Sequence, residues 1–191
     1  MNIKVATGSF AIALLTSAAA LAQGNSLSQP PASMHSSTAT QFSAADQKFI
    51  DDAAIGGMFE VQAGKLAEKS TNPQVRQFAA RMVKDHDAAD NQLKQIVTGR
   101  DANVPQQLDQ QHQQTLDHLA SLKGAEFDRE YMQTMVKDHD EDAPKFADAA
   151  KTATDPRLKR FAQETLQTIQ DHDRMAHHLA GTTAANGPRN R

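Results

Sequence analysis

The chain has 191 residues, a formal charge of −3 and no cysteine. That charge leaves no electrostatic footprint for nucleic acid or an anionic membrane surface, and without cysteine neither a disulfide framework nor a lipid-modified cleavage point is possible. Stability therefore has to come from an ordinary hydrophobic core.

Residues 1–22 read as a secretory signal, with Lys4 near the start, an apolar run from Phe10 to Leu15, and Ala20-Leu21-Ala22 as a small-x-small cleavage site. The run is too short for a spanning helix, so the mature chain is expected to carry no transmembrane segment. Export to a bacterial periplasm follows, with outer-membrane association or secretion as the variants of that expectation. Residues 23–43, dominated up to Thr40 by Ser, Gln, Pro and Ala, read as a flexible leader, and residues 181–191 as a disordered tail. Residues 44–180 suit one domain.

The first helix is expected to start with Ser43 as its cap and to reach about Lys69. Its apolar stripe runs Ile50, Ala53, Gly57, Glu60, Gly64, Ala67, which puts Glu60 in the buried seam with a glycine one turn to either side, the pattern of close approach by a neighbouring helix. Asn72-Pro73, a cap followed by proline, starts a second helix with the stripe Val75, Ala79, Met82, His86, Ala89, Leu93, Ile96. Thr98 to Pro105 reads as a loop, and Gln106 to Leu122 as a weaker helix ended by Gly124. A further helix from about Ala125 to Ala150 carries Phe127, Tyr131, Met135, His139, Phe146 and Ala150 inward, with Pro144 expected to kink or break it. Asp155-Pro156 repeats the cap signal for a last helix with Leu158, Phe161, Thr165, Ile169, His172, Ala176 and Leu179. No run alternates over enough residues for strands, which also argues against a membrane barrel.

The hexapeptide Met82-Val83-Lys84-Asp85-His86-Asp87 returns as Met135-Val136-Lys137-Asp138-His139-Asp140, and Asp171-His172-Asp173 echoes it. The cap regions Asn72-Pro73 and Asp155-Pro156 match as well, so the chain reads as two related helical hairpins joined by a long connection with its own helix. At ~1.5 Å rise per residue, Glu60 and His86 lie roughly 18 and 21 Å from the first turn, and His139 and His172 roughly 24 and 25 Å from the second. If the connection carries the chain back along the bundle, all four meet at mid-height.

Three imidazoles and a carboxylate suit one transition metal ion: zinc, copper, iron or manganese. Met82, Met135 and Met175 lie on the histidine faces and are weaker candidate ligands that favour monovalent copper, or else they fill core space. Asp90 and Asp142 are further weak candidates, as ligands or as groups that orient them. Asp85, Asp87, Asp138, Asp140, Asp171 and Asp173 lie about 100° off the histidine direction and read as solvated flank charges. His112, His118, His177 and His178 read as surface groups, and Asp128 with Tyr131 as a locally paired buried hydroxyl. No serine nucleophile with a spaced base, glycine-rich phosphate loop or zinc-finger cysteine is present.

Phe59-Glu60-Val61-Gln62-Ala63-Gly64-Lys65-Leu66-Ala67, then Asn72-Pro73, Phe78-Ala79 and Met82-Val83-Lys84-Asp85-His86, resembles the exported domain-of-unknown-function family 4142 (DUF4142). Phe127-Asp128 with Tyr131, the second hexapeptide and Asp171-His172 fit the same pattern across residues 44–180. The resemblance implies a ferritin-like four-helix bundle, often labelled an outer-membrane protein and without an established activity. Di-iron bundles use Glu-x-x-His pairs, but Val83 and Ile169 stand three before His86 and His172 here, and His139 replaces a carboxylate, so ferroxidase chemistry is not expected. The expectation is a non-catalytic protein that binds one metal ion, for metal buffering or envelope stress tolerance. Its rival is a metal-free module whose Glu/His network sets helix register and whose outer faces meet an envelope protein partner. An enzyme using the histidines as acid and base comes third.

Overall fold

In the computed structural model of this chain, residues 41–185 are described; the predicted signal, the leader up to residue 40 and the tail beyond residue 185 lie outside the described residues. The helices are α1 Ala44–Ala67, α2 Pro73–Val97, α3 Gln110–Ser121, α4 Gly124–Thr152 and α5 Pro156–Ala185, and no strand occurs among the described residues. The all-α expectation of two hairpins with an extra helix in the long connection therefore holds.

Local chemistry explains the helix starts. Ser43 accepts a hydrogen bond from the Asp46 amide at 3.0 Å, Asn72 from that of Gln74 at 3.0 Å, and Asp109 from that of His112 at 2.8 Å. Asp155 takes the amides of Arg157 and Leu158 at 2.9 and 3.0 Å. Each capping side-chain oxygen satisfies amides that have no partner within the first helical turn.

Three boundaries differ from the sequence reading. The connection helix α3 starts at Gln110 rather than Gln106, because Asp109 captures both the amide and the ring Nδ1 of His112 and so sets the start there. Pro144 does not break α4, which is continuous through Thr152. Pro144 and Asp140, whose carbonyl the proline leaves without an amide, both face solvent, so water replaces the missing donor. Helix α5 continues past Gly181, where the disordered tail was expected, to Ala185. The Thr182 and Thr183 hydroxyls donate to the carbonyls of Leu179 and Ala180 at 2.9 and 3.1 Å and occupy acceptors of the final turns.

Tertiary hydrogen bonds give the direction of each helix. Ser70, in the α1–α2 turn, donates to Asp128 near the start of α4 at 2.5 Å, so α4 begins at that end. At the other end Asp46, in the first turn of α1, accepts from the Thr154 amide at 3.1 Å, the Thr154 hydroxyl and the Asp155 amide at 3.2 Å, all in the α4–α5 turn. The order is thus up, down, down, up, with 98–123 as the crossover. Helices α1, α2, α5 and α4 pack in that cyclic sequence, every adjacent pair is antiparallel, and α3 lies against α1 and α4.

The interior is split into two apolar clusters. One end holds Phe49, Ile50, Leu93, Phe146, Leu158, Phe161 and Ile169, with the rings of Phe49, Phe146 and Phe161 in mutual contact. The other holds Phe59, Val75, Phe78, Met82, Leu119, Tyr131 and Met135. On every core helix the polar seam residue falls between the two. Close helix approach at Gly57 and Gly64 is as the pattern implied: a Cβ on Gly64 would come within 2.7 Å of Val83 Cγ2 and 3.3 Å of the Ala79 carbonyl, and one on Gly57 would collide with the Asp90 carboxylate.

Asp46 is 2% exposed and ties the start of α1 to the turn that begins α5. Asp46→Ala leaves three donors without their acceptor and is expected to lower the unfolding free energy by roughly 2–4 kcal/mol. Urea denaturation with an unchanged m-value checks this, and an effect under about 0.5 kcal/mol, the range of ordinary surface changes, would contradict the clamp.

Candidate metal centre

The fold brings Glu60 of α1, His86 of α2, His139 of α4 and His172 of α5 together in the layer between the two apolar clusters. Their exposures are 3%, 4%, 0% and 0%. Glu60 Oε2 lies 2.7 Å from His86 Nδ1, and Oε1 lies 3.4 Å from His139 Nε2. His86 Nε2 is 3.2 Å from His172 Nδ1, and the three imidazole centroids are 5.2 to 5.9 Å apart. The level hairpins and the crossover connection place all four groups at one depth, as the rise arithmetic required.

Burial governs the charge of these groups. It pushes the Glu60 carboxyl up to about 8 despite the opposing pull of His139. It pulls His86 down to about 4, and His172 likewise to about 4 with His86 adding to the effect. His139 is lowered, again chiefly by burial. The contacts are therefore neutral hydrogen bonds and not ion pairs. With Glu60 protonated, donors and acceptors form a chain: Glu60 donates to His86 Nδ1, His86 Nε2–H to His172 Nδ1, and His172 Nε2–H to Asp85 Oδ2 at 3.0 Å. His139 Nδ1–H donates to the Met135 carbonyl at 2.9 Å. That tautomer leaves the His139 Nε2 lone pair facing inward, and this buried atom has no hydrogen-bond partner.

His139 is a neutral imidazole with a free lone pair and so a metal-ready ligand, whereas His86 and His172 would have to exchange hydrogen bonds for an ion. His86, His139 and His172 each present a nitrogen within 4.8 Å of the others, and so do the donor atoms of Glu60, Asp138 and His139. Around an ion with bonds of about 2.0–2.2 Å, donors stand roughly 3–4.4 Å apart, so small side-chain adjustments close either set. A cavity of about 10 Å³ borders Glu60, His86, Asp90 and Asp142. It has room for one water-sized body at most and none for an organic substrate.

The weaker candidates are arranged differently. Asp90 rests against Gly57, and burial pushes its carboxyl up to about 6; Asp142 receives Lys145 Nζ at 2.7 Å and packs near Gly56. Neither shares a ligand triad with the histidines. Met82 and Met135 are fully buried in one apolar cluster. Met175 is half-buried at the edge of the same cluster, its sulfur accepting from Arg81 Nη1 at 3.5 Å.

Two of the six expected flank charges belong to the centre instead. Asp85 terminates the hydrogen-bonded chain and also takes Arg81 Nε at 3.3 Å; burial pushes its carboxyl up, but these hydrogen bonds outweigh it and hold it below its ordinary value. Asp138 keeps part of its surface in water, yet its Oδ2 is enclosed and unpartnered, and burial raises its carboxyl well above the usual range. The available signal was their shared position in the repeated hexapeptide, one residue before a seam histidine. Asp87 and Asp140 are exposed as expected. His177 approaches Asp173 at 3.4 Å and Asp140 at 3.6 Å on the surface. Asp128 pairs with Ser70 and not with Tyr131, whose hydroxyl is buried without a partner.

Among solved structures the chain is similar to one described as "Crystal structure of DUF305 fragment from Deinococcus radiodurans", with a TM-score of 0.66 and 12% identity over 75% of this chain and 99% of that one. At that identity the likeness speaks for the helical fold alone. None of the curated proteins compared with the chain matches it. The family described as Domain of unknown function (DUF4142) matches residues 31–179, which include α1 to α4, most of α5 and every residue of the polar layer, and the chain belongs to that family.

Proposed function

We propose that this protein is an exported, non-catalytic bundle that binds one transition metal ion in its core through Glu60, His86, His139 and His172, as a metal buffer or in envelope stress tolerance. Export rests on the sequence pattern of residues 1–22. Among the described residues no helix is long and apolar enough to cross a membrane. The observation that carries the metal reading is His139 Nε2, a buried lone pair with no donor, facing Glu60 Oε1 across 3.4 Å. Two acceptors turned toward each other in a dry interior repel unless a proton or a cation lies between them, and a bound cation resolves the contact while using the His139 lone pair.

One observation favours a metal-free register network, which is the second reading. The chain Glu60–His86–His172–Asp85 is satisfied without an ion and ties α1, α2 and α5 together at one height.

Metal titration separates the two. Untagged protein dialysed against chelator is expected to take up one equivalent of zinc, iron, manganese or copper with micromolar or tighter affinity in calorimetry. His86→Ala and His139→Ala are each expected to weaken binding by about tenfold or more, about 1.4 kcal/mol. Metal at about 100 times Kd adds about 2.7 kcal/mol of stability, which raises Tm by roughly 5–10 °C. No uptake of any ion, or unchanged affinity in both variants, would leave the register network as the better account.

The metal-free protein should also show a pH signature. The folded Glu60 carboxyl sits at about 8 against an ordinary 4.5, so its stabilising contribution is complete below about 4.5 and is lost as pH rises through about 8. His86 and His172 are neutral in both states above 6.5 and add no slope there. In chelator the urea midpoint is therefore expected to fall between about pH 6.5 and 8.5. Glu60→Gln should flatten most of that fall, with the remainder due to Asp138, whose shift has the same sign. An equal slope in wild type and variant would remove Glu60 as the titrating group.

A further inference from the structure

We infer that Asp138 is a ligand of the same ion, so that the centre offers three imidazoles and two carboxylates and selects a divalent cation over monovalent copper. This rests on the metal reading above and deepens it.

His139 Nδ1 is committed to the Met135 carbonyl, which leaves Nε2 as a bare lone pair. Glu60 uses Oε2 toward His86, so Oε1 is the oxygen that faces His139 Nε2. Asp138 Oδ2 is the third: it has no exposed surface and no hydrogen-bond partner, and its donor atom falls within the same 4.8 Å set as those of Glu60 and His139. Three ligand atoms thus converge, and neither His139 Nε2 nor Asp138 Oδ2 makes a hydrogen bond to any neighbour. The nearby Lys145 Nζ hydrogen-bonds to Asp142 at 2.7 Å and makes no bond to Asp138 Oδ2. Enclosed polar atoms without hydrogen-bond partners cost free energy, and a cation that displaces the carboxyl protons at this point touches Asp138 as well as His139 and Glu60.

Charge then selects the ion. A divalent cation with the Glu60 and Asp138 carboxylates is neutral overall, which suits a site walled by apolar clusters on both sides. A monovalent ion leaves the same pair with a net negative charge in the interior. The thioethers that would favour monovalent copper do not offset this: Met175 accepts from Arg81, and Met82 and Met135 belong to the apolar packing.

The test uses the full chain, chelator-treated, with zinc, cobalt(II) and anaerobic copper(I) as separate probes. Asp138→Asn is expected to weaken zinc and cobalt(II) binding by about tenfold or more while copper(I) affinity stays within about twofold. The metal-free circular dichroism and melting curve of the variant should match wild type. Cobalt(II)-loaded wild type is expected to show the weak visible bands of five- or six-coordination, and a strong four-coordinate spectrum would overturn Asp138 as a ligand even if the variant does not fold. Wild-type protein that takes up no ion overturns both readings, whereas uptake that Asp138→Asn leaves within about twofold overturns this one alone.

Discussion

Four polar groups at one level of a dry interior are the constraint on which this bundle depends. Glu60, His86, His139 and His172 interrupt an otherwise apolar core; Glu60, His86 and His172 are linked from helix to helix, and His139 faces Glu60 from a fourth. That requirement sets the relative heights of α1, α2, α4 and α5 more sharply than apolar contacts do, because a slip by one turn of about 5.4 Å would separate every partner while leaving much of the apolar burial intact. The two ends are held by Asp46 across the α4–α5 turn and by Ser70 with Asp128 across the α1–α2 turn, so the layer in the middle works between fixed ends.

The layer is asymmetric despite the repeated hexapeptide that builds it. His86 is linked on both sides, to Glu60 and to His172, whereas the equivalent His139 has one nitrogen on a carbonyl of its own helix and the other unpartnered. The aspartates that precede them diverge in the same way: Asp85 receives a proton donor from His172, and Asp138 receives none. One half of the repeat is thus complete as a hydrogen-bonded network, and the other half leaves His139 Nε2 and Asp138 Oδ2 without partners. A cation at those atoms would make the two halves equivalent in satisfaction though not in chemistry.

This asymmetry also distinguishes the centre from a two-iron site. Such a site needs several bridging carboxylates to balance two cations. Here Val83 and Ile169 occupy the positions where Glu-x-x-His pairs would place carboxylates, and the adjoining cavity of about 10 Å³ has no space for oxygen chemistry on an organic substrate. The residues present suit holding one ion and keeping water away from it.

The helical periodicity, the cap-proline signals at Asn72 and Asp155, and the level spacing of Glu60 and the three histidines were determined by the sequence alone, because each depends on local geometry that a fixed rise per residue carries without error over a few turns. Pro144 within α4 and Gly181 within α5 do not end their helices, because the cost of each depends on surroundings: an exposed position that water can reach, and threonine hydroxyls that occupy the last acceptors. Met175, Asp85 and Asp138 were decided only by the tertiary structure. Residues at the edge of a helical stripe sit where two neighbouring helices meet, and whether such a side chain turns to water or to the core depends on the packing angle and on what the neighbour presents. Arg81 engages Met175 and His172 draws Asp85 inward, and neither partner lies within the same segment of chain.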